Sequence, residues 1–274
     1  MRISISNLAW ETKEDASVFE LLRKKSISSI EILPTRYFPN PLQATRQDAE
    51  HLKRYFTKEG VHVSSFQALL YGRPDLKLFG SPEERKSTRE YLRHEAELAS
   101  WLGAGRLVFG SPRNRQVPDG MDQDTALALA TEFFRDLAES LHDIGVTICI
   151  EPNAVEYGCN FCVKTSAAAG LVRAVEHPSF RLHLDSGVMQ LNDEDPAEIV
   201  MAHADIIDHV HASEPKLEAV GHGEANRHRI LAKALANQSY GGYVSIEMLP
   251  PSDGLGGIEK SLDFTIKTYG YVDT

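Results

Sequence analysis

The sequence predicts a closed (β/α)8 barrel that spans residues 1–274 as a single domain. Three observations carry this. Short β-branched or apolar runs alternate with stretches of helical periodicity, the strand-like runs number eight, and no linker, charge block or short-period repeat divides the chain. The 274 residues are a little under two average domains of about 150, and one barrel of about 250 fits them equally well. An open doubly wound sheet is the alternative, but no G-x-G-x-x-G follows the first strand.

In chain order the strand candidates are ISISNLAW from Ile3, SISSIEILP from Ser26, VHVSSFQALL from Val61, RLVFGSP from Arg106, VTICIEPN from Val146, FRLHLDSG from Phe180, IIDHVHASE from Ile206 and YVSIEMLP from Tyr243. Between them, Leu127, Ala130, Phe134, Leu137 and Leu141 form one helical stripe. Leu52, Tyr55 and Phe56 do the same earlier, and Ile258, Leu262 and Ile266 at the end. Gly60, Gly103 and Gly145 each sit between a helical stretch and a strand, where a left-handed cap suits a residue without Cβ. The connections from strand to helix are longer and richer in Pro, Asn and Arg, which marks that end of the barrel as the working face.

Composition narrows the classes of function. A hydrophobic share of 42% with 25% charged residues is that of a globular protein. The net charge of −10 opposes nonspecific binding to nucleic acid or an anionic membrane. No apolar run approaches the roughly 18 residues of a membrane span, and the N-terminal stretch has no secretory h-region, so a cytoplasmic location is expected. Three cysteines, Cys149, Cys159 and Cys162, are an odd number for a disulfide framework and read as reduced thiols.

Catalytic side chains of such barrels come from the C-terminal ends of the strands. The last four ends read CIEPN with Glu151, HLDSG with Asp185, HVHASE with His211 and SIEML with Glu247. Strand alternation then places Cys149, His183, His209 and Ser245 in the layer below, small or polar where Val, Ile and Leu are usual. His183 and His209 fit there as groups that orient metal ligands from behind. Three carboxylates and an imidazole at one mouth repel one another unless a cation neutralises them, so a divalent metal is expected. The donors suit Mn²⁺, Mg²⁺, Co²⁺, Fe²⁺ or Zn²⁺, with no thiolate to single out zinc. Earlier strand ends add an outer wall of Asn7, Trp10, Glu31, Arg36, Gln67 and Tyr71, then Arg113 and Arg115. Trp10 and Tyr71 offer rings to stack on a flat ligand face, and Arg113 with Arg115 a grip for phosphate or carboxylate.

These motifs, with GHGE at Gly221 to Glu224, resemble the xylose-isomerase-like TIM barrels, specifically the sugar phosphate isomerase/epimerase group. Successive ligands are separated by 34, 26 and 36 residues (185−151, 211−185, 247−211), and the match runs the length of the chain. The resemblance implies one divalent metal on Glu151, Asp185, His211 and Glu247, a small carbohydrate substrate and a homo-oligomer. It also implies an isomerase or epimerase acting on a sugar, keto-sugar or sugar phosphate through a cis-enediolate, with Glu151 and Glu247 as the acid/base pair. The chain departs from ketose 3-epimerases at three positions, with Tyr157 for a Glu, Val188 for a His and Leu217 for an Arg. Asn153, Tyr157, Glu214, His222, Trp10 and Arg113 are the substrate-contact candidates. Two alternatives share the fold: a lyase or dehydratase acting on a keto-sugar or inosose, and an endonuclease-IV-like enzyme, which the acidic charge disfavours.

Overall fold

The computed structural model describes residues 1–270. Eight parallel strands close into a barrel in simple sequence order. They are β1 (Arg2–Ser6), β2 (Ser29–Ile32), β3 (His62–Phe66), β4 (Arg106–Phe109), β5 (Thr147–Ile150), β6 (Phe180–Asp185), β7 (Ile207–Ser213) and β8 (Tyr243–Glu247). Pairing of Arg2 with Tyr243 through Ile5 with Ile246 closes the ring. All eight expected strands are present. Several end earlier than their apolar runs: after β1 the Ser6 hydroxyl accepts from the Leu8 N–H and caps a 3-10 turn at Asn7–Ala9.

Helices α1 (Asp15–Lys24), α2 (Arg46–Lys58), α3 (Pro82–Leu102), α4 (Gln123–His142), α5 (Thr165–Val175), α6 (Ser186–Leu191), α7 (Pro196–His203), α8 (Ala225–Asn237) and α9 (Leu255–Thr265) form the outer ring. Gly60, Gly103 and Gly145 have φ of +77°, +91° and +76°, as the short helix-to-strand turns require. The helical stripes need small corrections. On α4 the buried face is centred on Ala126, Ala130, Phe133, Phe134, Leu137 and Leu141, and Leu127 is exposed, because the 3.6-residue period carries it off that face. On α2 only Phe56 of the three is fully buried. Tyr55 stays exposed, its ring tilted against Phe19 at 6.1 Å. Ile266 belongs to a π-helical turn, Ile266–Gly270, that follows α9.

The barrel register aligns the ends that matter. Asp185 pairs with His211, His211 with Ser245, and Ser213 with Glu247. Two register shifts interrupt the parallel ladder, one at Ile30/Glu31 and one at Leu182/His183, each beside a polar residue of the interior.

Candidate metal centre

The four sequence-predicted donors converge on His211 Nδ1, while the tighter group whose ligand atoms all lie within 4.8 Å of one another joins Glu151, Asp185 and His211 to His183 and leaves Glu247 out. His211 Nδ1 lies 3.3 Å from Glu247 Oε2, 3.7 Å from Asp185 Oδ2 and 3.8 Å from Glu151 Oε1. That nitrogen is buried and no hydrogen bond meets it. The other ring nitrogen, Nε2, donates to Glu31 Oε2 at 2.9 Å, and the same oxygen accepts from the Ser245 hydroxyl at 3.0 Å. Donation at Nε2 leaves Nδ1 as the ring atom turned to the three carboxylates. Burial would lower the imidazole pKa, but Glu31 and Glu247 raise it, so an ion bound there would take the place of the Nδ1 proton.

Asp185 is fixed from one side. Its Oδ1 accepts from the Ser213 hydroxyl and the Val188 N–H, both at 2.7 Å, so Oδ2 is the oxygen turned to the cluster. Val188 N–H is free to do this because Asp185 is the N-cap of α6.

The expected lower layer is in place. Cys149, His183, His209 and Ser245 are all fully buried. His183 and His209 stack at 5.2 Å, with their Nδ1 atoms 3.2 Å apart, and His209 Nε2 lies 3.1 Å from the Ser65 hydroxyl. His183 Nε2 has no partner and lies 4.0 Å from Glu151 Oε1. It shares the cluster volume with Glu151, Asp185 and His211, whose ligand atoms all lie within 4.8 Å of one another. His183 is thus a potential fifth donor as well as a support.

The electrostatics agree with a cation site. Burial, then the neighbouring Glu247 and Asp185 charges, pushes the Glu151 carboxyl up. Glu247 is raised by burial, against the pull of His211. Glu31 behaves oppositely: burial would raise it, but His211 and His209 outweigh that and lower it to about 2. An orphaned imidazole nitrogen facing two buried carboxylates and the half-buried Glu247 is a donor set of one nitrogen and several oxygens, which fits a hard or borderline divalent ion.

Above the cluster is a cleft of about 210 Å³. Asn153, Tyr157 and Glu214 line it as expected. The Tyr157 hydroxyl accepts from the Lys216 N–H at 2.9 Å and ties the loop after β5 to the loop after β7. Glu214 Oε1 accepts from the N–H groups of Gly221 and Gly223, each at 3.2 Å, and His228 Nε2 lies 3.3 Å away. The GHGE loop is therefore held by Glu214, and at Gly223 a Cβ would fall 2.3 Å from Glu214 Oε2.

Four candidates are displaced from the cleft. Trp10 is buried, its indole N–H donating to Asp15 Oδ1 at 2.8 Å, so its ring packs in the core and cannot stack on a ligand. Arg113 and His222 are exposed on their loops and do not line the cleft. Tyr71 is likewise outside it, 69% exposed.

Two residues placed in the outer wall have deeper roles. Glu31 supports His211 from inside the barrel. The signal was available: Glu31 sits between Ile30 and Ile32, so alternation turns it to the face opposite the isoleucines. Arg115 is fully buried, and its Nη2 donates to the Glu151 carbonyl at 2.6 Å, holding the end of β5. Nothing in a loop reading GSPRNR separates the exposed Arg113 from the buried Arg115.

Fold and site together define a parallel (β/α)8 barrel with a buried carboxylate and imidazole cluster at the C-terminal mouth. The chain belongs to the xylose isomerase-like TIM barrel family, whose model matches residues 19–268. No curated protein matches its sequence. Among solved structures it is similar to D-psicose 3-epimerase with D-tagatose from Clostridium cellulolyticum H10, with TM-score 0.79, 16% identity and 98% and 99% of the two chains covered. It is also similar to apo 3-keto-D-glucoside 4-epimerase from E. coli, with TM-score 0.77, 16% identity and 97% and 99% covered. A D-tagatose 3-epimerase-like protein gives TM-score 0.75 at 20% identity, with 98% of each chain covered. No helix among the described residues is long and apolar enough to cross a membrane, and the three cysteines are free.

Proposed function

We propose that the protein is a divalent-metal-dependent epimerase or isomerase of a carbonyl sugar. One observation carries the reading: Glu151 from the end of β5 and Glu247 from the end of β8 both line the cleft and approach the same His211 Nδ1, at 3.8 and 3.3 Å. The structural neighbours named as sugar epimerases support it.

Glu151, Asp185, His211 and Glu247 would hold the ion, with His183 behind them. Such an ion, when bound, polarises the carbonyl and the adjacent hydroxyl of the sugar and makes the neighbouring C–H acidic enough for a carboxylate to remove. The chain's own residues supply the rest. Asp185 is tied through Oδ1 and serves to hold. Glu151 and Glu247 face the cleft from separate strands, so one takes the proton from carbon and the other returns one, to the opposite face or to the neighbouring carbon. Glu31 keeps the His211 ring in the tautomer that presents Nδ1.

The test is solvent exchange. Manganese-loaded protein is incubated in deuterium oxide with a panel of ketoses and keto-sugars and followed by NMR and mass spectrometry. One deuterium at carbon in an otherwise intact sugar is the expected result. Loss of water from the product would establish the lyase chemistry of the same carbanion, and no exchange with any carbonyl sugar would end the proposal.

A further inference from the structure

Beside the neutral polar groups of Gln67, Ser111, Asn153 and Tyr157, the cleft is lined by two chemically distinct sets of side chains. One is acidic: Glu151, Asp185, Glu214 and Glu247. The other is apolar: Ala68, Val108, Pro112, Val188 and Leu217. The two are adjacent, since the Val188 N–H donates to the Asp185 carboxylate that caps it, and the Leu217 N–H donates to the Glu214 carbonyl at 3.0 Å. Among the described residues, no Lys, Arg or His lines the cleft. Arg115 is turned to the main chain of Glu151 and Arg113 is exposed on its loop.

From this lining, and resting on the reading in the preceding section, we infer that the substrate is an uncharged carbonyl sugar that carries an apolar group, either a deoxygenated carbon or an aglycone, against Val188, Leu217 and Pro112. With Glu151, Asp185 and Glu247 engaged by the ion, a phosphate or carboxylate elsewhere in the cleft would meet the Glu214 carboxylate and no side-chain cation. A hydroxyl turned to the apolar set would leave water and gain no partner, whereas a methyl or ring carbon there loses nothing. The rim has the same character. Of the eight large apolar side chains exposed on the described chain, five (Leu42, Tyr71, Val155, Leu249 and Leu255) lie on segments that follow strands, at the cleft end of the barrel. An apolar group longer than the cleft would meet apolar surface on leaving it.

The experiment titrates manganese-loaded protein, by calorimetry, with a ketohexose, its 6-deoxy form, its 6-phosphate and a phenyl keto-glycoside. The deoxy or the phenyl probe is expected to bind at least about tenfold tighter than the ketohexose, with the phosphate weakest. The tighter of the two identifies the source of the apolar group. Leu217→Gln, at a half-buried position in a turn, is expected to remove most of that preference without a change in melting temperature. The inference is overturned if the ketohexose or the phosphate binds tightest, if no probe is preferred or bound, or if Leu217→Gln keeps the preference. Deuterium exchange is read in the same samples. Its absence with every probe sinks the epimerase reading, while the order of binding still decides this one.

Discussion

The carboxylate of Glu31 accepts the Nε2 proton of His211 at 2.9 Å, across 180 positions of sequence and between strands β2 and β7. This pair sets which nitrogen of His211 faces the cluster, and a charged acceptor makes that nitrogen a better donor. Glu31→Gln keeps the shape and removes the charge. Manganese affinity should fall about 10- to 100-fold, as such supporting carboxylates typically control. Calorimetric titration of the metal checks it, and an unchanged dissociation constant would refute the role.

Glu151 and Glu247 are expected to be required for proton transfer beyond any contribution to metal binding. At saturating manganese, Glu151→Gln and Glu247→Gln should each slow deuterium exchange at least about 100-fold, the usual scale of general acid–base catalysis. Metal content is measured on the same samples. Exchange at the wild-type rate in either variant would show that another group carries the proton.

Most of the fold was legible because closure of eight parallel strands imposes a repeated pattern of strand, turn and amphipathic helix on the sequence. The candidate donors at Glu151, Asp185, His211 and Glu247 were legible for the same reason, since each stands at the end of a strand and parallel strands in register bring their ends to one height. What was not legible depends on loops and rotamers. Trp10 and Asp15 find each other over a five-residue turn, which consumes an indole that a sequence presents as free. Arg113 and Arg115 differ only in which way a 3-10 turn, Pro112–Arg115, points them. Glu214 looked like one more ligand contact, and its bonds to the Gly221 and Gly223 amides appear only once the loop has folded back.

Gly187 in the LDSG motif has a steric reason. A Cβ there would lie 2.8 Å from the carbonyl carbon of Glu214, 2.9 Å from its oxygen and 3.0 Å from Ser213 Oγ. Backbone cannot move aside as a flexible side-chain end can, and Ser213 Oγ is also the atom that accepts the Gly187 N–H and holds Asp185. Gly187→Ala should destabilise the protein by about 1–3 kcal/mol, the range for overpacking. Each kcal/mol lowers the melting temperature by about 2–4 °C for a chain of this size. Thermal unfolding that matches the wild type would show that the loop after β7 yields freely.

Glu95, on the inner face of α3, gives the clearest pH dependence of stability away from the cluster. Both its oxygens are buried without a hydrogen-bond partner, and burial pushes its carboxyl up to about 8 from an ordinary 4.5. The folded protein therefore holds this proton more tightly than the unfolded chain does. Below pH 4.5 both states keep it and stability is unaffected. Between 4.5 and about 8 the unfolded chain has released it and the folded one has not, so stability falls as pH rises, by up to about 5 kcal/mol in all. Glu95→Gln has no proton to lose, and groups common to both proteins cancel in the difference between them. The variant's advantage in melting temperature should widen from pH 5 to pH 8 and then level off. A difference that stays constant across that window would mean that Glu95 ionises in the folded state as readily as it does in water.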